Sequence, residues 1–192
     1  MSYVSASHDR MLAGLIIPCS VVGVDLAGGT VRVSDGAGWT SAWVRWHSQA
    51  AGKARHWRAP SLGEQGALIS PSGEPAQGTF VAGLYGNAGP QPDNRDHVEV
   101  WRFDDGGSLV YDWQAKSYTI SLPSGTVSIQ VGGSSAVVTE NAITGKADSI
   151  TLTGKITLNG DVQIVGALSV VGDINGGGRI VDTSGNTANH KH

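Results

Sequence analysis

The chain has 192 residues, of which 13 are Lys or Arg and 16 are Asp or Glu, and its formal charge at pH 7 is −3. This weakly acidic balance argues against a general nucleic-acid binder, because such proteins are usually strongly basic. The single cysteine, Cys19, excludes an intrachain disulfide and a zinc finger. Glycine is abundant, at 28 residues, but no Gly-X-Y period occurs, so collagen is excluded as well.

The N-terminal segment is polar and is not expected to act as a secretory signal peptide. Met1 to Arg10 contains no apolar stretch of signal-peptide length. No apolar run in the chain approaches the ~20 residues that a membrane-spanning helix requires. We therefore expect an N-terminal arm over residues 1–15, with weak helical periodicity between residues 5 and 16, in a soluble chain made in the cytoplasm.

Residues 16–92 carry the pattern of a small β-barrel. Runs of aliphatic and aromatic residues alternate with turn sequences such as Asp25–Gly29 and Pro71–Glu74. The predicted strands are 21–26, 30–33, 67–70 and 80–85. Four or five short strands favour a Greek-key barrel, of which the OB-fold is the commonest candidate. Cys19 is interpreted as a small buried hydrophobe.

The next segment, 93–118, predicts a connecting β-hairpin. Two strand signals, 98–103 and 108–113, flank the turn-forming sequence Asp104–Gly107. Every aromatic residue of the chain lies before residue 119. Because aromatic side chains supply much of the buried area of a globular core, the chain after Tyr118 must be stabilised in another way.

A strict six-residue repeat occupies residues 150–176, named here the hexad segment. Its even positions follow the order apolar, apolar, glycine, and its odd positions are mostly polar. Alternate side chains of an extended chain point to opposite faces, so one face is aliphatic and the other solvated. A glycine at every sixth residue predicts regular bends, which are typical of β-helices and solenoids. The aliphatic row consists of Ile150, Leu152, Ile156, Leu158, Val162, Ile164, Leu168, Val170 and Ile174.

The length of the hexad segment favours a trimer over a single-chain β-helix. A hexapeptide β-helix needs about three hexads per coil, so one chain would leave its aliphatic row open to water. Three chains around one axis would each supply one wall of every coil, and each buried side chain would contribute roughly 1.5–3 kcal/mol. We therefore predict a triple-stranded β-helical stem over 119–180, less regular between 119 and 149, with the aliphatic row as its core. A flat sheet edge is the alternative.

The predicted tip, residues 181–192, ends in His190–Lys191–His192. Positions i and i+2 of an extended strand share a face, so both imidazoles can point toward a three-fold axis. Three chains would then supply six imidazole nitrogens, a donor set that fits octahedral iron or nickel better than tetrahedral zinc. Such an ion would clamp three chain ends together. A disordered polar tail is the alternative.

These features together resemble the central spikes of contractile injection machines. The family is the baseplate assembly protein V of contractile-tailed bacteriophages, and the resemblance is strongest to the R-type pyocin spikes within it. It spans nearly the whole chain. The residues that carry it are Trp43–Trp46, Trp57–Gln65, Pro71–Glu74, Gly83–Tyr85, Phe103–Ser108, the hexad segment, and His190 with His192.

The resemblance implies an OB-fold that trimerises and docks onto the tail-tube hub, a triple-stranded β-helical stem, and a tip capped by one iron ion per trimer. Spikes of this kind are driven through the outer membrane of a target bacterium when the sheath contracts. The chain would then be a structural component at the tip of a released phage tail or tail-like particle. Some relatives also hold calcium or chloride near the tip, although no carboxylate cluster in this sequence requires calcium.

Two other classes of protein share some of these features. A nucleic-acid-binding OB-fold would use aromatic residues interleaved with cations, yet OB barrels need aromatic core residues too, and the rest of the chain is acidic. The interleaved set is Trp43, Arg45, Trp46, His47, Lys53, Arg55, His56, Trp57 and Arg58. An acyltransferase or cell-wall hydrolase is disfavoured because residues 119–189 contain no histidine, and neither Gly-x-Ser-x-Gly nor His-Glu-x-x-His occurs. We therefore expect no catalytic residues and no nucleic-acid partner.

Overall fold

The computed structural model describes residues 3–178. Apart from one α-helix and two short 3₁₀ turns, its regular elements are all strands, which confirms the predicted all-β class. Two compact units divide the described chain at about residue 127, with residues 138–142 grouped with the first unit. The elements are α1 Tyr3–Gly14, β1 Ile16–Asp25, β2 Thr30–Ser34, β3 Val44–Trp46, β4 Gln65–Ile69, the 3₁₀ turns Pro71–Gly73 and Pro75–Gln77, β5 Thr79–Leu84, β6 Val98–Arg102, β7 Ser108–Asp112, β8 Ser117–Ser121, β9 Thr126–Val131, β10 Ser134–Thr139 and β11 Ile143–Lys146.

Strands β1 to β5 close into a barrel in the order β1-β2-β3-β5-β4. The long strand β1 pairs antiparallel with β2 on one side and with β4 on the other, and β3 runs parallel to β5. A register shift in β1 between Val21 and Gly23 bends the strand, which allows it to pair with β2 and with β4. This small five-stranded closed barrel is the OB-fold that the sequence predicts.

The barrel core is aliphatic, with a single aromatic residue. Buried positions alternate along β2, as expected for a strand with one face turned inward. Cys19 belongs to this core, and burial raises the pKa of its thiol. Ser41 is also buried, and its hydroxyl accepts a hydrogen bond from Val33 N at 3.0 Å and donates one to Ala42 O at 2.7 Å. The buried core residues are Cys19, Val21, Val31, Val33, Val44, Leu68 and Phe80.

The predicted turns form as expected, whereas strand β3 was not predicted. Asp25 Oδ1 accepts hydrogen bonds from the backbone N–H groups of Ala27 and Gly28 and so closes the turn between β1 and β2. Strand β3 has only three residues, too few to show alternation. It forms because Val44 is buried and because Trp46 pairs in register with Phe80 of β5. Tertiary pairing therefore determines this strand.

The N-terminal arm contains helix α1, which covers most of the weakly periodic stretch. The helix packs on the 3₁₀ turn Pro71–Gly73, and Gly14 at its end lies against Gly73. Neither this helix nor the short turns among residues 3–178 have the length and apolar character needed to cross a membrane.

Strands β6, β7 and β8 form an antiparallel sheet in that order. The predicted hairpin is confirmed: Phe103 N donates to Gly107 O at 2.8 Å across the turn, where Gly106 has a φ of +86°. The sequence did not predict that β8 joins this sheet. Strands β9 to β11 form a second sheet in the order β11-β10-β9, within the region predicted to be a less regular stem.

Candidate trimer interface

The hexad segment bends at its glycines, as the repeat predicts. Between the bends the chain has no regular secondary structure of its own. A Cβ added at any of these glycines would meet nothing within 4 Å, so the backbone conformation, and not lack of space, requires glycine. The four glycines and their φ values are Gly154 (+123°), Gly160 (+132°), Gly166 (+136°) and Gly172 (+138°).

The aliphatic row of the hexad segment lies open to solvent in one chain. All nine predicted core side chains, from Ile150 to Ile174, are between 47% and 69% exposed. Burying each of them would contribute roughly 1.5–3 kcal/mol. The described residues of one chain do not bring them into a closed core, and their role as the core of a trimer stays a prediction.

The backbone of this region also lacks partners within the described part of the chain. Among the described residues from 147 to 178, none belongs to a strand, and no backbone hydrogen bond joins any of them to another described residue. A buried backbone N–H or C=O without a partner costs as much as a lost hydrogen bond. Pairing with other chains would supply these partners if the aliphatic row becomes buried.

A second apolar surface, on the sheet β6–β8, was missed by sequence reasoning. Strand register sets two rows of side chains across one face: Trp101–Leu109–Ile120 and Glu99–Tyr111–Tyr118. We name these six residues the hairpin face. A shallow cleft of about 380 Å³ lies on it, lined by all of them except Ile120. Period-two alternation in each strand could have revealed the face, but the strand pairing that joins the rows is not visible in the sequence.

An ion-pair cluster fastens the linker before β6 to the end of β7. Arg95 Nη2 donates to Asp93 Oδ2 at 2.7 Å, and Arg95 Nη1 donates to Asp112 Oδ2 at 3.3 Å. The hydrogen bonds from Arg95 hold the pKa of Asp93 well below its usual range. His97 Nδ1 lies 3.0 Å from Asp96 Oδ1. The cluster thus fixes the start of β6, the first strand of the hairpin face.

A second ion pair orders the loop that enters strand β4. Both terminal nitrogens of Arg58 donate to the carboxylate of Glu64, and Ser61 N donates to Glu64 Oε2 at 2.9 Å. Burial disfavours the charged form of Glu64, but the hydrogen bonds from Arg58 and Ser61 outweigh it and lower the pKa of the carboxyl. Val21 N donates to Glu64 O at 3.0 Å, which ties the same loop to β1.

The tryptophans considered for nucleic-acid stacking take part in packing on the barrel. Trp46 and Trp57 lie against each other, with ring centroids 5.4 Å apart. Trp43 packs on Gly23, and the guanidinium carbon of Arg32 lies 5.9 Å from the centroid of its ring. The expectation that the chain has no nucleic-acid partner stays a prediction.

The predicted metal ligands His190 and His192 lie outside the described residues. Within residues 3–178, no group of three or more His, Cys, Asp or Glu side chains is placed to hold a metal ion. The iron site, and calcium or chloride near it, stay predictions.

Two family models match the chain, one in its N-terminal half and the other in its C-terminal half. Residues 17–85 match the Type VI secretion system/phage-baseplate injector OB domain, which coincides with the barrel β1–β5. Residues 99–176 match the Gp138 beta helical trimerization domain, which includes both the hairpin face and the hexad segment. The trimerisation model therefore begins at β6, well before the predicted stem.

The chain is also similar in sequence to a known phage protein. The chain is 33% identical over 113 residues to the spike protein of Escherichia phage P2, an alignment that covers 58% of this chain and 53% of that protein. The chain thus spans about half the length of the relative that it matches. The match of the barrel to an injector OB domain, the match of the following residues to a β-helical trimerisation domain and the similarity to a phage spike protein agree with one another.

Proposed function

We propose that three copies of this chain form the central spike at the baseplate of a contractile phage tail or an R-type pyocin. The observation that carries the proposal is the hexad segment, in which an exposed aliphatic row coincides with a backbone that has no partner in the described chain. Winding three such segments around one axis would bury the aliphatic row and would give the backbone hydrogen-bond partners, since the row closes into a core while the backbones pair between chains. The match of residues 99–176 to a trimerisation domain supports this arrangement.

The OB barrel is the end that docks onto the tail-tube hub. Its match to a baseplate injector domain supports this orientation. The stem then points toward the target cell, and sheath contraction drives it through the outer membrane. Three intertwined strands cannot be peeled apart singly, so the stem transmits force without unfolding. The action is mechanical and uses no catalytic residue of the chain.

The tip is closed by an iron ion held by His190 and His192 of all three chains. The donor chemistry supports this, because six neutral imidazole nitrogens suit an octahedral first-row ion, and two histidines two residues apart can share one face of an extended strand. The ion supplies a clamp that keeps three chain ends from separating under load. Calcium or chloride near the tip is a subsidiary part of the proposal.

Light scattering combined with elemental analysis of the same purified sample tests the assembly and the tip together. We expect a mass of three chains and about one iron per trimer. The variant His190→Ala/His192→Ala is expected to keep the trimer mass, to lose the iron and to melt at a lower temperature. A trimer without iron would reject the metal tip alone, whereas a monomer would reject the spike and favour an OB-fold oligonucleotide-binding module.

Membrane puncture is tested on assembled particles. Particles that carry the wild-type chain should admit a fluorescent dye through the outer membrane of target cells when the sheath contracts. Particles with His190→Ala/His192→Ala should contract equally often but admit less dye for each contraction. Equal dye entry after contraction of particles that lack the chain altogether would refute a piercing role.

A further inference from the structure

The outer face of the hexad segment changes character along its length. Between residues 151 and 161 every odd position is polar, and Lys155 and Asp161 are charged. Between residues 162 and 172 there is no charged residue on either face. In this stretch three of the five odd positions are apolar, namely Val165, Ala167 and Val171.

These valines point away from the aliphatic row. Val165 is 92% exposed and Val171 is 103% exposed, whereas every member of the aliphatic row is 69% exposed or less. Both valines directly precede a bend glycine, and the equivalent positions in the earlier hexads are Thr153 and Asn159. Residues six apart occupy equivalent places in the repeat. Trimerisation that buries the even face would therefore leave both valines on the outside, at successive levels of the stem.

We propose that Val165, Ala167 and Val171, named here the valine collar, form an uncharged apolar band around the trimeric stem that contacts the acyl chains of a lipid membrane. This inference rests on the proposed trimeric spike. The lack of charge favours hydrocarbon as the occupant, because charged groups are expensive in hydrocarbon and none lies between Asp161 and Asp173. The collar gives the stem a region that can reside among acyl chains, while the polar face between residues 151 and 161 remains in water.

The test compares valine with threonine, which has nearly the same shape and the same β-branching but carries a hydroxyl. The full-length trimer is mixed with vesicles of zwitterionic phosphatidylcholine, which removes attraction by lipid charge, and the protein that floats with the vesicles is measured. Val165→Thr/Val171→Thr is expected to keep the trimer mass and melting temperature and to bind the vesicles about tenfold or more weakly. The matched control, Thr153→Val, changes the equivalent position of an earlier hexad and is expected to bind at least as well as wild type.

The possible results distinguish failure of the valine collar proposal from failure of the trimeric spike proposal. A wild-type trimer that does not bind the vesicles, or a double variant that binds as wild type does, would overturn the collar and leave the trimeric spike intact. Trimers that associate with one another without lipid, and lose this association in the double variant, would overturn lipid as the occupant in favour of a second trimer. A monomeric wild-type chain would instead remove the proposed spike.

Discussion

Gly73 lies directly against the backbone of Met11. A Cβ built on Gly73 would come within 2.3 Å of the Met11 carbonyl oxygen, and the φ of Gly73 is +70°. Glycine at this position therefore meets two requirements at once, a left-handed backbone and close contact with helix α1. Through this contact the 3₁₀ turn Pro71–Gly73 holds the helix on the barrel.

Gly73→Ala is expected to destabilise the barrel by more than backbone strain alone. Gly36 provides a matched control, because its φ is +76° but a Cβ there would meet nothing within 4 Å. Gly36→Ala should cost about 1–2 kcal/mol from the left-handed conformation. Gly73→Ala should cost at least about twice as much, since the Met11 backbone must also move. Denaturant unfolding monitored by tryptophan fluorescence measures the free energy of unfolding of both variants. Equal losses of stability would contradict the close contact.

The Arg58–Glu64 pair predicts a pH-dependent contribution to stability. The folded-state pKa of Glu64 lies below its ordinary value of 4.5. The contribution is therefore fully present above that pH and is lost as the pH falls through the folded-state pKa. Because the Arg58 side chain is 55% exposed, Glu64→Gln should cost only about 1 kcal/mol at pH 7. Melting temperatures of the variant and the wild type should converge as the pH falls from 4.5 through the folded-state pKa of Glu64.

Glu74→Gln is the control for that series. Glu74 forms no ion pair within the described chain, and its carboxylate accepts one long hydrogen bond, from Ala76 N at 3.4 Å. We expect a small effect of this variant at every pH. If Glu64→Gln showed an offset that did not change with pH, the ion pair would not be its cause.

Leu158→Ser is expected to weaken the trimer strongly. One substitution removes a leucine from each of three chains, and each loss from a packed core costs about 2–5 kcal/mol. Thr157→Ser changes the neighbouring, solvated face and should stay within about 0.5 kcal/mol of wild type. Light scattering and thermal melting at matched protein concentration distinguish them. A Leu158→Ser protein with unchanged mass and melting temperature would exclude Leu158 from a buried core.

Ile120→Ser tests whether the hairpin face also belongs to the trimer interface. Ile120 is 47% exposed in one chain and lies opposite Leu109 in the register. If other chains cover this face, Ile120→Ser should lower the melting temperature of the trimer by several degrees, as expected for a loss of about 1–3 kcal/mol. Thr119→Ser, on the opposite face of the same strand, should have little effect. Equal melting temperatures would show that the hairpin face is not buried between chains.

The barrel strands were predictable where the local pattern was long enough to be read. Strands β1, β2, β4 and β5 overlap the predicted runs, and the hairpin β6–β7 forms where Asp104–Gly107 predicts a turn. Strand β3 was missed because three residues cannot display a period, and its pairing partner in β5 lies more than 30 residues away. The strand exists through that non-local pairing.

The hairpin face was missed for a related reason. Trp101, Leu109 and Ile120 each alternate with other residues in their own strands, but only the register sets them side by side. A shift of one residue in any strand would turn its side chains to the other face. Sequence reasoning therefore placed the trimerisation region at residue 119, whereas the matched domain begins at residue 99.

The sequence by itself determined the hexad segment. Its glycines fix where the chain bends, because φ values near +130° are accessible to glycine and strained for other residues, and its alternation fixes which side chains share a face. Both are local properties that repeat every six residues. The tertiary structure alone decided how β3 closes the barrel and which side chains meet on the hairpin face. Those contacts join residues far apart in the chain, so they depend on pairing and burial that no local pattern records.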